Sequence, residues 1–173
     1  MAYGIFESTN INPGRNYSFV ATVDLENGML VHKGDLVAGS KDVYEAIIPT
    51  TASINAEPVY VVGNPAWSYD SSSIINQNEE EYIIKAGKVF RVYNLKATDK
   101  FAIADYGIDG TPVVGQYVAP QNGSGKLAAS ASAPSTAFVG KVIKIADMGY
   151  QYFVGQIVDQ RTKKVIIEVV KND

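Results

Sequence analysis

The sequence predicts a mainly β fold, a small antiparallel β-barrel or sandwich domain with one short helix and an extended N-terminal arm. Three observations favour this fold. Apolar residues alternate with polar ones, or form short runs, along most of the chain. These segments are rich in Val, Ile, Phe and Tyr, which are the residues that strands prefer. Gly, Pro, Asn and Asp stand between them, where turns are expected.

The strand pattern is clearest in seven segments, and the last three are expected to form an antiparallel meander. The best helical candidate is 71–85, "SSSIINQNEEEYIIK", which a serine can cap and Gly87 can end. We expect a helix of two or three turns there. The predicted strands are residues 17–23, 43–48, 59–62, 89–95, 137–146, 150–158 and 164–170.

The first sixteen residues, "MAYGIFESTNINPGRN", have no strand or helix period but contain Tyr3, Ile5, Phe6 and Ile11. We therefore divide the chain into an N-terminal arm, 1–16, and a single β-rich domain, 17–173. An apolar arm of this kind either packs on its own domain or is meant for a neighbouring molecule.

Composition excludes several classes of function. The absence of cysteine excludes disulfides, thiol nucleophiles, iron–sulfur clusters and cysteine zinc sites. A net charge of −3 without any Lys/Arg run argues against nucleic-acid binding. No basic-then-apolar leader and no long apolar run is present, so we expect no secretion signal and no membrane segment. The simplest expectation is a soluble protein made in the cytoplasm.

One phrase occurs twice, as "NGMLVHKGDLVA" from Asn27 and as "DGTPVVGQYVA" from Asp109. Asn-Gly and Asp-Gly favour tight turns, because both positions tolerate a positive φ. A phosphate-binding loop would need a helix after the glycines, and no helical pattern follows either copy. We interpret both copies as turns and strand glycines of a small barrel rather than as ligand loops.

No catalytic or metal-binding set is evident. The single histidine, His32, could act in a Ser-His-Asp triad, but no serine stands in a Gly-x-Ser-x-Gly motif. We interpret His32 as a polar residue beside a turn. The run Glu79 to Glu81 is interpreted as a solvated face, because adjacent side chains point in different directions. Asp105 and Asp109 lack the spacing of a calcium loop. We therefore predict no enzyme, no metal and no cofactor.

The aromatic content is unusual, with 11 tyrosines beside 6 phenylalanines. Aromatic residues fill β cores and protein interfaces, and they also form platforms for sugars or single-stranded nucleic acid. The core-and-interface interpretation is favoured, because Arg and Lys are not interleaved with the tyrosines. Trp67, between turn residues, is expected to plug a loop.

The segment 64–103, "NPAWSYDSSSIINQNEEEYIIKAGKVFRVYNLKATDKFAI", has a distinctive order. A Pro-x-x-x-Tyr-Asp approach precedes a polar stretch, "YIIKAGKVFRVYNL" and an x-x-Asp-x-Phe-x-Ile strand. This order resembles the head decoration, or cement, proteins of tailed bacteriophages that infect Gram-positive bacteria. The similarity covers most of the chain from about residue 10, although the family's charged helix is replaced here by a Ser- and Asn-rich stretch.

The resemblance implies a non-enzymatic virion protein on the outside of an HK97-type phage head, where it stabilises the shell by bridging subunits of the major capsid protein. It also implies a homotrimer and an N-terminal arm that reaches the coat, for which we predict Tyr3, Ile5 and Phe6 as contacts. The alternatives are another virion β-domain, from a tail or baseplate, and a carbohydrate-binding module that uses the tyrosines and Trp67. A hydrolase remains as a last alternative and would depend on His32.

Overall fold

The computed structural model describes residues 4–65, 82–147 and 163–173. This part of the chain is mainly β with a small closed barrel, which confirms the predicted fold class. The strands are β1 Phe6–Asn10, β2 Asn16–Val20, β3 Leu25–Glu26, β4 Leu30–Leu36, β5 Val43–Ile47, β6 Tyr60–Val62, β7 Ile83–Ile84, β8 Val89–Asn94, β9 Lys100–Ala104, β10 Ile108–Asp109, β11 Tyr117–Gln121, β12 Ser124–Ser130, β13 Phe138–Asp147 and β14 Lys163–Asn172, and the α-helix is α1 Thr51–Ala56.

Five strands close into a barrel in the order β2-β5-β4-β6-β8. Four of its pairings are antiparallel, as the sequence predicts, and the β2–β5 pairing is parallel. The parallel pair is possible because β3 and β4 lie between β2 and β5 in the chain, which gives the connection enough length. Closure leaves the barrel without an unpaired edge.

The other large sheet has seven strands in the order β1-β9-β14-β13-β11-β12-β10. Its neighbours are antiparallel except for the short β10–β12 pair. Because β13 pairs directly with β14, the expected three-strand meander is wrong in its order. The segment predicted as its middle strand, 150–158, lies outside the described residues.

Two apolar cores meet at β6, one between the barrel and the seven-stranded sheet and one inside the barrel. Val59, just before β6, and Val61 pack with the inner face of the sheet, while Tyr60 and Val62 point into the barrel. All four side chains are buried, at 7% exposed or less. A strand covered on both faces is apolar at every position, which explains the uninterrupted run in this segment.

The one α-helix of the described residues is not where the sequence predicts it. Of the predicted helix, 71–81 lies outside the described residues, and β7 occupies its end at Ile83–Ile84. Helix α1 instead follows Pro49, and Thr50 caps it with a reciprocal pair of hydrogen bonds to Ser53. Serine at that position of a capping box is less typical than Glu or Gln, so the sequence signal is weak.

The two copies of the repeated phrase share their first turn and differ afterwards. Gly28 and Gly110 both have a positive φ, at 84° and 94°, as predicted for turn glycines. Gly34 of the first copy lies in β4 at a shift of register, where an added Cβ would stand 3.0 Å from Glu45. Gly115 of the second copy lies in a turn, at φ 92°. Both copies therefore place glycines at turns or a bulge, and their folds diverge.

Candidate functional site

His32 is not beside a turn but fully buried inside β4. Its Nδ1 is 3.0 Å from the carbonyl oxygen of Pro58 and 3.8 Å from a carboxylate oxygen of Glu57. In the described part of the chain, its Nε2 has no hydrogen-bond partner, so no serine hydroxyl lies next to it. This position makes His32 a core residue, and it offers no contact with a substrate. The prediction that the protein is not an enzyme stays a prediction.

Asp105 and Asp109, the acidic residues of interest that the structure describes, do not converge on a common site. Asp105 is in a 3₁₀ turn, and Asp109 accepts a hydrogen bond from Gln121 and lies 4.0 Å from Lys126 Nζ. Glu79 to Glu81 lie outside the described residues. Among the residues that are described, no group of three or more His, Asp and Glu side chains is placed to hold a metal ion.

Ile5 and Phe6, two of the three predicted coat contacts, are part of the folded domain. Ile5 is only 2% exposed, and β1 pairs with β9. The ring of Phe6 stacks on Tyr93 at 5.2 Å and packs on Phe101 at 6.3 Å between centroids. Residues 4–16 therefore follow the first of the two alternatives and pack on their own domain, because their apolar side chains complete its core. Tyr3 lies outside the described residues, and a coat contact for all three residues stays a prediction.

The described tyrosines serve mainly the core rather than an exposed platform. Tyr60 lies inside the barrel, where its ring meets Tyr17 edge-on at 5.7 Å and Phe19 at 5.2 Å. Burial, reinforced by the nearby Tyr17 and Tyr44 hydroxyls, raises the pKa of Tyr60 above its usual value. Lys33 covers the Tyr44 ring, with Nζ 3.8 Å from the centroid. Trp67 lies outside the described residues.

An open groove of about 360 Å³ lies at the end of the barrel beside Tyr17 and Tyr44. Lys41, Asp42 and Arg91 also line it. The ring of Tyr44 is already covered by Lys33, so the groove does not present a bare aromatic face of the kind that stacks on a sugar. The carbohydrate alternative gains no support from this groove.

The turn 110–116 presents two consecutive apolar side chains to solvent. Val113 is 52% exposed and Val114 is 57% exposed. Backbone hydrogen bonds fix the turn: Gln116 N–H donates to Val113 O at 3.0 Å, and Gly115 N–H donates to Val142 O at 2.8 Å. The Gln116 side chain also accepts a hydrogen bond from Val113 N–H at 3.2 Å. An apolar pair held in a fixed conformation loses little entropy on binding, which suits a contact with another protein.

Lysines separated in sequence meet on the outer face of the seven-stranded sheet, the face opposite the core. Strand β14 alternates strictly here, with Val165 and Ile167 inward and Ile166 and Glu168 outward. Lys141 pairs with Glu168, and Lys144 pairs with Ile166, so both lysines point outward. Ile143 between them has no partner and forms a β-bulge, which shifts the alternation by one residue.

Two other lysines of this face are neutralised by neighbours. Lys100 Nζ is 3.7 Å from a carboxylate oxygen of Glu168. Lys164 forms an ion pair with Glu7. This second pair spans β9, because Glu7 is on β1 and Lys164 on β14, and the β9 residues in register with them are Ala102 and Ala104. Small side chains on β9 leave room for the pair to cross.

Lys141 and Lys144 are exposed, and within the described residues neither has an ion pair. The Lys141 ammonium is 5.9 Å from the ring centroid of Tyr117 on the neighbouring β11. We call Lys141, Lys144, Tyr117 and the turn 110–116 the β13 surface. The turn belongs to it because Val142 exchanges backbone hydrogen bonds with Gly115 and Gln116 at 2.8 Å each.

The sequence contained only part of the signal for this surface. The "PVV" of the second repeat copy is visible as an apolar turn, but strict alternation along β13 would place Lys141 and Lys144 on opposite faces. The bulge at Ile143 brings them together, and it depends on the pairing with β14.

Comparisons of the chain with protein-family models, with curated proteins and with solved structures gave no match. Among the described helices, none has both the length and the apolar character needed to cross a bilayer.

Proposed function

We propose that this protein is a capsid decoration protein that binds the outside of a tailed-phage head and stabilises the shell by bridging coat subunits. The observation that carries the proposal is the turn 110–116, which holds Val113 and Val114 exposed in a fixed conformation on a rigid β scaffold. Adhesion requires apolar anchors of this kind and no catalytic group. The partner that we propose, the major capsid protein, rests on the resemblance of the order of residues 64–103 to that of phage decoration proteins.

A shallow contact of this size is weak for one copy. A decorated shell multiplies it, because each bridging molecule engages more than one coat subunit at once. The exposed valines supply apolar area at each contact, and the closed barrel and the sheet keep the contacts at fixed separations. The protein would then act in the virion, on the capsid surface.

The test is co-sedimentation of the purified protein with expanded heads that lack it. We expect saturation at a fixed number of copies per coat hexamer. The variant V113S/V114S is expected to bind about tenfold more weakly, because it removes the apolar anchor. The matched control is V23S/V89S, which changes two valines of similar exposure, 47% and 58%, outside the β13 surface.

Absence of binding to heads, with the protein found in purified tails, would contradict the decoration function and favour the tail or baseplate alternative. Equal binding by both valine variants and the unmodified protein would leave the head as partner but exclude the turn as its anchor.

The N-terminal contact needs a mild variant, because removing residues 1–12 would also delete β1 and the buried Ile5 and Ile11. We propose two variants that test the contact, Tyr3→Ala and Phe6→Leu. Leucine is chosen at position 6 because it keeps an apolar side chain against the ring of Tyr93. Weaker binding to heads with an unchanged Tm would support these residues as contacts. Unchanged binding would contradict their role.

The homotrimer is part of the same proposal and rests on the resemblance. Sedimentation equilibrium of the free protein, together with the copy number on heads, measures it. Copies bound in threes at local three-fold positions would support it, and isolated copies on heads from a monomeric protein would contradict it.

A further inference from the structure

We infer that the β13 surface docks on an acidic protein surface, with Lys141 and Lys144 placed against carboxylates and the valine turn as the apolar anchor beside them. The inference rests on the proposed function for the identity of the partner, the outer shell of the head. The chemistry of the partner follows from the residues of this chain alone.

The bulge at Ile143 puts Lys141 and Lys144 on one face of one strand, in register with Glu168 and Ile166 of β14. Both lysines are exposed, and they lie on a strand held by neighbours on both sides. Their backbone positions are therefore set before any partner binds, which reduces the ordering cost of a contact.

The other two lysines of the face, Lys100 and Lys164, are paired with Glu168 and Glu7. Neither Lys141 nor Lys144 forms an ion pair in the described residues, and the one carboxylate in register with them, Glu168, is already paired with Lys100. An ammonium group without a partner at an interface gains most from a carboxylate brought to it.

The whole chain carries a net charge of −3, so the molecule as a whole does not attract an acidic partner. The β13 surface is locally positive and attracts the same partner. Charge asymmetry of this kind selects one face for docking and raises the rate of productive encounters.

The residues of the β13 surface favour a protein partner over a nucleic acid. Protein surfaces that bind nucleic acids normally carry many basic residues, with Arg prominent. This chain is acidic overall. The β13 surface combines only two free lysines with two exposed valines, Val113 and Val114. An apolar anchor beside a few charges is typical of a protein interface.

The experiment measures binding to DNA-free expanded heads in about 50 to about 500 mM NaCl. The variant K141E/K144E reverses the two free charges of the surface. The matched control is K41E/K88E, which changes the net charge by the same amount at two exposed lysines on or beside the barrel. Circular dichroism and Tm verify that both variants are folded.

We expect K141E/K144E to bind about tenfold or more weakly than the unmodified protein at low salt, and K41E/K88E to bind within about twofold. The affinity of the unmodified protein should fall with salt, and that of K141E/K144E should depend much less on it. An equal loss of binding in both variants, or no loss in K141E/K144E, would overturn the inference.

Binding to poly-L-glutamate and to duplex DNA keeps the inference testable if heads are not bound and the proposed function fails. We expect the unmodified protein and K41E/K88E to bind poly-L-glutamate more tightly than K141E/K144E does. Equal binding of poly-L-glutamate by all three proteins would overturn the inference. Tighter binding to DNA that depends on Lys141 and Lys144 would also overturn it, and would make the surface a nucleic-acid site.

Discussion

The side chain of Asn172 pairs with the backbone of Val59 as a neighbouring strand would. Its Nδ2 donates to Val59 O at 3.0 Å, and its Oδ1 accepts from Val59 N–H at 2.8 Å. Nδ2 also donates a second hydrogen bond, to Leu95 O at 2.8 Å. Asn172 ends β14 of the large sheet, while Val59 precedes β6 of the barrel. One buried side-chain amide therefore connects the two sheets. Both hydrogens of its nitrogen are used in hydrogen bonds.

Replacing Asn172 by alanine is expected to destabilise the protein by about 2–4 kcal/mol, because three buried backbone groups lose their partner. Urea unfolding at constant m measures this effect as a lower midpoint. Asn10→Ala, at an exposed position of β1, is the control and should change stability by less than about 0.5 kcal/mol. A similar midpoint for the two variants would show that Asn172 does not hold the sheets together.

Six strands of this fold, β2, β5, β6, β8, β13 and β14, were predicted as strand segments from the sequence, whereas the direction of key side chains was not predicted. The predicted segments 137–146 and 164–170 correspond closely to β13 and β14. Strict alternation, however, would turn Lys144 inward and Asn172 outward. Bulges at Ile143 and Val170 reverse both directions. A bulge depends on the partner strand, so a pattern read along one strand does not contain it.

The N-terminal residues and the helix illustrate a second limit. The first sixteen residues have no period, yet β1 forms there because β9 offers an edge and Gly63 leaves room for the Phe6 ring. Helix α1 is six residues long, too short to show an amphipathic stripe. Elements of this kind depend on tertiary packing, which local sequence does not report.

The packing of Phe6 leads to a prediction for Gly63. A Cβ at Gly63 would stand 2.4 Å from the Phe6 ring and 2.7 Å from the Tyr93 ring. We expect Gly63→Ala to separate these stacked rings and to cost about 1–3 kcal/mol. Urea unfolding measures the loss, and near-UV circular dichroism reports the altered aromatic packing.

Gly14→Ala is the control for this substitution, because the nearest atom to its added Cβ is the Asn12 side-chain oxygen at 3.3 Å. It should leave the aromatic signal unchanged. If Gly63→Ala had the same free energy of unfolding and the same near-UV spectrum as the unmodified protein, the prediction would be wrong. β1 and β8 could then move apart without loss of stability.

Tyr60 is expected to make the free energy of unfolding fall at alkaline pH. Burial raises the pKa of Tyr60 above 10.0, with smaller contributions from Tyr17 and Tyr44. A raised pKa in the folded state gives a stabilisation that is complete below the unfolded value and is lost as the pH rises through the folded one. We therefore expect the free energy of unfolding to fall above about pH 10.

The variant Tyr60→Phe removes this titration and should lose less stability than the unmodified protein over the same pH interval. Tyr106→Phe, at a 46% exposed position, is the control and should follow the unmodified protein. Parallel pH dependences for Tyr60→Phe and the unmodified protein would exclude Tyr60 as the source of the alkaline loss.

Asp24 makes a smaller contribution at acid pH. A hydrogen bond from Lys85 Nζ at 2.8 Å, followed by one from Ala86 N–H at 2.9 Å, lowers the pKa of Asp24 below 3.8. These contacts join the ends of β3 and β7, whose Leu25 and Ile84 pack in the barrel core. A lowered pKa gives a stabilisation that is present above pH 3.8 and is lost as the pH falls through the folded value.

We expect Asp24→Asn to lower Tm at neutral pH by a few °C at most, because the pair is exposed to solvent. The difference from the unmodified protein should vanish below the folded pKa of Asp24. Lys85→Met is the informative companion: it removes the side-chain partner and keeps the Ala86 N–H, so its effect should be smaller and should resemble the effect of high salt. Thermal unfolding across acid and neutral pH measures all three proteins. A Tm difference between Asp24→Asn and the unmodified protein that persists unchanged at the lowest pH would assign the effect to packing instead of charge.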